Sequence, residues 1–144
     1  MPDSLVPLPD SETVYRRIPR WENFFSPPDH VTTANFKLGG DEVGLSVYRA
    51  SQRTPESVLT DPGSPAGSFL LHASVHGIRN LRNGAGAELS LDVLDVPRES
   101  DPGHAEIRKK PPGNRFTPPA VKALRDLFVK CIRDGDWHYG PKAF

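Results

Sequence analysis

The richest pattern of apolar and polar positions lies in residues 68–107, SFLLHASVHGIRNLRNGAGAELSLDVLDVPRESDPGHAEI, which also hold three of the chain's five histidines. Within 68–82, Leu71, Val75, Ile78 and Leu81 recur at four, three and three, the stripe of a helix; Phe69, Leu71, Ala73 and Val75 also alternate as in a strand. The length and the persistence to Leu81 favour a helix over 68–82, stopped by Asn83-Gly84. Residues 88–96 alternate Leu89, Leu91 and Val93 with Ser90 and Asp92, then slip at Leu94, predicting a strand with a bulge. HAEIRKK predicts a last strand with Ala105 and Ile107 inward.

Upstream, TVYRRIP reads as a strand closed by Pro19, with Arg16 and Arg17 on opposite faces. Trp21, Phe24 and Phe25 fit one helical turn before Pro27. Residues 32–37 and 44–50 predict two strands joined by the Gly39-Gly40-Asp41 turn. Thr54-Pro55-Glu56 has the grammar of a helix start: a capping hydroxyl, proline at the first helical position, and an acid near the positive end of the helix dipole. Thr117-Pro118-Pro119 repeats the capping hydroxyl and the proline ahead of the clearest helix, whose apolar stripe is Val121, Leu124, Leu127, Phe128 and Cys131. The whole predicts an α+β fold, a small mostly antiparallel sheet packed by a central helix with a C-terminal amphipathic helix. Residues 1–12 read as a flexible lead-in, 13–135 as a single domain, and 136–144 as an aromatic tail carrying Trp137, Tyr139 and Phe144.

Composition adjusts this picture little. The chain has 144 residues, enough for one core. Its 18 basic and 18 acidic residues give a formal net charge of zero, so no global field draws it to nucleic acid or an anionic membrane. The single cysteine, Cys131, on the apolar stripe, rules out an intrachain disulfide and points to a reducing cytoplasm. No apolar run approaches a membrane span, and no basic-then-apolar leader opens the chain.

Four kinds of chemistry are on offer. His72 and His76, four apart, fall on one face of a helix or of a strand, and with His104 or Asp95 they form a conceivable metal set; a solvated face is the commoner meaning, and no metal or cofactor is expected. Under an enzyme alternative acting on a nucleotide or RNA, His72, His76 and His104 serve as acid and base with Arg79 or Arg82 stabilising charge. Arg16 or Arg17, Ser46 and Glu106, in that order on separate strands, resemble the layout of the arginine-serine-glutamate ADP-ribosyltransferases. The S-T-S and E-x-E contexts of that class are missing here. Basic residues at 108–110, Arg115, Lys122, Arg125, Lys130 and Arg133 offer a phosphate-backbone contact, diluted by aspartates on the same helix.

VYRRIP, TTANFK, GLSVYRA and DPGHAEI, in that order, resemble a loose group of short uncharacterised bacterial proteins, over roughly residues 14–110. TTANF replaces that group's serine pair, and the final helix is an addition. The resemblance implies no activity. The favoured expectation is a small cytoplasmic binding or accessory subunit, more a binder than an enzyme. Its expected partner is another protein, met through Arg125, Lys130 and the aromatic tail at Trp137, Tyr139 and Phe144.

Overall fold

A computed structural model describes residues 5–19, 25–26, 30–38, 42–65, 68–110 and 115–133. In chain order the strands are β1 (Val6–Pro7), β2 (Thr13–Ile18), β3 (Phe25–Ser26), β4 (His30–Val31), β5 (Leu45–Arg49), β6 (Phe69–Ser74), β7 (Leu91–Asp95) and β8 (His104–Lys109). The helices are a 3₁₀ turn at Thr33–Phe36, α1 (Pro55–Leu59), α2 (Val75–Arg79), α3 (Pro118–Phe128) and α4 (Lys130–Arg133). Six strands form one antiparallel sheet in the order β1-β7-β8-β5-β2-β6, and β3 and β4 pair separately. The α+β fold with its C-terminal amphipathic helix is therefore the fold of this chain.

Alternation along the strands sorts the side chains. Val14, Ile18, Leu45, Val47, Leu71, Leu91, Val93, Ala105 and Ile107 face one side and are buried there with Phe36, Ile78, Leu124 and Phe128 from the helical segments. Helix α2 follows β6 yet also touches β7, four places away in the sheet order, so the sheet is strongly curled around this core. The opposite face is covered in part by α1, whose Val58 and Leu59 bury Leu70 against Tyr15 and Tyr48. Both expected caps are present: Thr54 Oγ1 accepts from the Ser57 amide and Thr117 Oγ1 from the Ala120 amide.

Several expectations are corrected. Residues 68–82 are not one helix: the chain runs as β6 to Ser74, whose hydroxyl then caps α2 by accepting from the Gly77 amide. A methyl at Gly77 would crowd the capping Ser74 hydroxyl at 3.1 Å, while Leu127 of α3 would stand in ordinary contact with it at 3.5 Å. Residues 33–36 form a 3₁₀ turn instead of a strand, because burial of Asn35 and Phe36 outweighs the β-preference of the threonines. The lead-in is not free of the fold, since β1 pairs with β7 and Leu8 is buried in the core. The irregularity expected at Leu94 falls instead at Ser90, which has a φ of 55°. Of the helical turn expected at Trp21, Phe24 and Phe25, Phe25 lies in strand β3 instead, and Trp21 and Phe24, like the turn at Gly39-Gly40-Asp41, lie outside the described residues.

Glu12 ties the lead-in to the sheet. Its buried carboxylate accepts from Arg49 Nε and Nη2 at 3.1 and 2.9 Å and from the Ser51 amide and hydroxyl at 3.0 and 2.7 Å. Burial alone would raise its pKa, but the bonds from Ser51 and Arg49 prevail and hold it below the ordinary 4.5. A depressed folded-state pKa contributes stability above the unfolded value and loses it as pH falls through the folded one. Glu12→Gln is expected to cost about 1–2 kcal/mol at pH 7, and to flatten the acid loss of stability below pH about 4.5. Thermal midpoints followed from pH 7 to 3 check this; identical acid slopes in both proteins would refute it.

Candidate functional site

The register across the sheet decides which of the predicted residues meet. His104 pairs with Tyr48, Tyr48 with Tyr15 and Tyr15 with His72, so the four form one row across β8, β5, β2 and β6. Each histidine stands edge-on to its tyrosine, with centroids 6.4 Å apart for His104 and 6.5 Å for His72. Three strand spacings of about 4.8 Å put His72 and His104 roughly 14 Å apart, too far to share an ion or flank one phosphodiester. His76 is exposed on α2, 3.7 Å from the Asp10 carboxylate and beside Asn80. The expectation that His72 and His76 share a face assumed one conformation across both, and the strand-to-helix junction at Ser74 removes that assumption. Among the described residues no three His, Cys, Asp or Glu side chains are grouped to hold a metal ion.

Arg79 is engaged in tethering. Its guanidinium donates to Asp92 at 2.6 Å, to Asp10 at 2.7 Å and to the Leu8 carbonyl, locking α2 onto β7 and the chain after β1. Burial would lower its pKa, but the bonds it donates to Asp92 and Asp10 raise it above the ordinary value. On the opposite face of the sheet, Arg17 and Arg53 are similarly occupied. Both lie 5.5 Å from the Tyr48 ring centre and clamp α1, Arg17 through the Val58 carbonyl and Arg53 through Ser57.

Arg16 faces the core. Its Nε and Nη2 donate to the Asn35 carbonyl at 3.2 and 2.8 Å, and Nη1 donates to the Ser46 carbonyl at 2.9 Å. Burial pushes its pKa down to about 10, so it stays charged at neutral pH. The β2–β5 pairing spans Val14–Arg49 and Tyr15–Tyr48, and beyond it the Arg16 guanidinium supplies the bridge between β2, the 3₁₀ turn and β5. The arginine-serine-glutamate arrangement is thus met only in part: Ser46 and Glu106 are cross-strand partners, while Arg16 and Arg17 hold backbone carbonyls.

Ser46 and His104 form a contact that sequence inspection misses, since they are 58 positions apart. His104 Nε2 lies 3.1 Å from Ser46 Oγ and Nδ1 lies 2.8 Å from the Val96 carbonyl. A carbonyl only accepts, which assigns the proton to Nδ1 and leaves Nε2 of the neutral ring to accept the Ser46 hydroxyl. Glu106, opposite Ser46, binds Arg108 through one oxygen at 2.9 and 2.7 Å. Gly44 makes room for it, because a methyl there would overlap that carboxylate.

The helical side of the molecule carries a cleft of about 500 Å³, lined by Thr33, Lys37, Leu38, Arg115, Phe116, Pro118 and Val121. Its two walls are the segment running on from the 3₁₀ turn and the entry to α3. Lys37 and Arg115 are exposed, and neither has a carboxylate partner among the described residues. A second depression, about 570 Å³, lies where Arg82 to Gly84 face the first turns of α3, but there Lys122 is paired with Asp126 at 2.9 Å. Of the expected binding residues, Arg125 is held by Asp126 and the Val31 carbonyl, and Lys130 is exposed on α4. Trp137, Tyr139 and Phe144 lie outside the described residues.

Comparison with family models, with curated proteins and with solved structures finds no match to this chain. No helix among the described residues is long and apolar enough to cross a membrane.

Proposed function

We propose that the protein is a small cytoplasmic binding or accessory subunit that grips another protein through the cleft between the 3₁₀ turn and α3. The observation that carries this is the composition of the cleft, a largely polar lining in which the apolar side chains of Leu38, Phe116, Pro118 and Val121 lie beside the exposed cations Lys37 and Arg115. Its volume falls within the range of ligand sites, about 300–1,000 Å³. Two cations beside these apolar side chains suit a peptide segment presenting one large apolar side chain flanked by acids. The aromatic tail at Trp137, Tyr139 and Phe144 supplies a further partner contact in this reading. The chain's one cysteine, Cys131, is buried in the core, in keeping with a reducing compartment.

The test is a peptide array in which a central Phe or Leu is flanked by Asp/Glu or, in the control set, by Lys. Acid-flanked peptides are expected to bind the wild type, and the double reversal Lys37→Glu, Arg115→Glu is expected to weaken them about tenfold, as two exposed ion pairs of about 0.5–1 kcal/mol would. Equal binding of both peptide sets, or no change on charge reversal, would overturn the proposal.

A further inference from the structure

The Ser46–His104 pair sits on the sheet face opposite the one that packs α3, apart from the proposed binding cleft. His104 is 1% exposed and fixed at both ring nitrogens, whereas Ser46 is half-buried and within reach of solvent. A nucleophile bonded to a base, and the base oriented by a third group, is the arrangement that activates a serine. Here the orienting group is the Val96 carbonyl, which fixes the tautomer that leaves Nε2 free to take a proton. Arg108 takes up the charge of Glu106, the one carboxylate directly opposite Ser46, and so reduces its repulsion of a developing oxyanion.

We propose that Ser46 is a reactive nucleophile with His104 as its general base, and that the site accepts short-chain carboxylic esters. Ser46 Oγ attacks the ester carbonyl carbon and its proton passes to His104 Nε2. The tetrahedral adduct breaks its bond to the alkoxy oxygen, which leaves as the alcohol carrying the proton from Nε2. Water then attacks the acyl-serine, gives a proton to Nε2, and releases the carboxylic acid as the proton returns to Ser46 Oγ. Short acyl groups are favoured because Ser46 is flanked on its face by Tyr48 and by Glu106 lying over Gly44.

The test uses the full chain and an alkyl fluorophosphonate, whose P–F bond breaks as an Oγ–P bond forms and fluoride leaves with the serine proton. Peptide mapping by mass spectrometry is expected to place the label on Ser46 of the native protein, and denaturation in urea is expected to abolish labelling. His104→Asn is expected to slow labelling by about 100-fold or more; circular dichroism establishes whether that variant is folded, and if it is not, the native-against-denatured comparison in the wild type decides. Native protein unlabelled at Ser46, labelling that survives denaturation at the same rate, or a folded His104→Asn variant that reacts as fast as wild type would each overturn the proposal.

Discussion

Replacing Arg16 by methionine is expected to destabilise the protein by about 3 kcal/mol, a large share of the roughly 5–15 kcal/mol typical of a domain. The methionine stem fills the space of the arginine methylenes, so the loss is one of hydrogen bonds more than of volume. Three N–H donors disappear, and the Asn35 and Ser46 carbonyls lose the partners that the guanidinium gives them. Each buried carbonyl left without a donor costs about 1–3 kcal/mol, partly offset because a charge no longer has to be buried. Arg16→Lys is expected to recover only part of the loss, because one ammonium does not reproduce a planar fork spanning two carbonyls. Urea unfolding should show a lower midpoint with an unchanged slope. A change under about 0.5 kcal/mol would show that water takes the place of the guanidinium.

Phe128→Ala is expected to cost about 3–5 kcal/mol. Phe128 is fully buried and its ring packs 5.5 Å from that of Phe36 at a 38° tilt, joining α3 to the 3₁₀ turn. These two elements support the walls of the cleft, so the substitution is expected to abolish acid-flanked peptide binding as well as to lower the thermal midpoint by roughly 10 °C or more. Phe128→Leu keeps most of the apolar volume and should lose less than half as much. A thermal midpoint for Phe128→Ala within a few degrees of wild type would mean that α3 docks without this contact.

What the sequence reveals of this fold is what local rules govern. Alternation exposes β2, β5 and β8, with Ala105 and Ile107 inward as expected, because each of those strands has one face in the core. Thr54 and Thr117 announce their helices through capping chemistry that acts over three residues. Residues 68–82 resist because Leu71 and Val75 satisfy both periods, and the decision rests on Ser74, whose hydroxyl ends one element by capping the next. Arg16 is legible as lying on the face opposite Arg17, yet nothing local says that the arginine, and not an apolar residue, is drawn into the core.

The site is less legible than the fold for a related reason. Ser46 and His104 meet only because β5 and β8 pair antiparallel with Tyr48 opposite His104, a register set by two strands far apart in the chain. The three histidines that cluster in sequence are spread by the same topology across the sheet and onto α2. The cleft depends on how the segment at 33–38 settles against Phe116 and Val121, which no periodicity encodes.

The claim that this cleft is the binding surface is tested most directly by following backbone amide resonances of the ¹⁵N-labelled full chain during titration with an acid-flanked phenylalanine peptide. Shifts are expected to concentrate at Thr33, Lys37, Leu38, Phe116 and Val121 and to be lost in the Lys37→Glu, Arg115→Glu protein. Shifts centred elsewhere, or spread evenly over the chain, would contradict it.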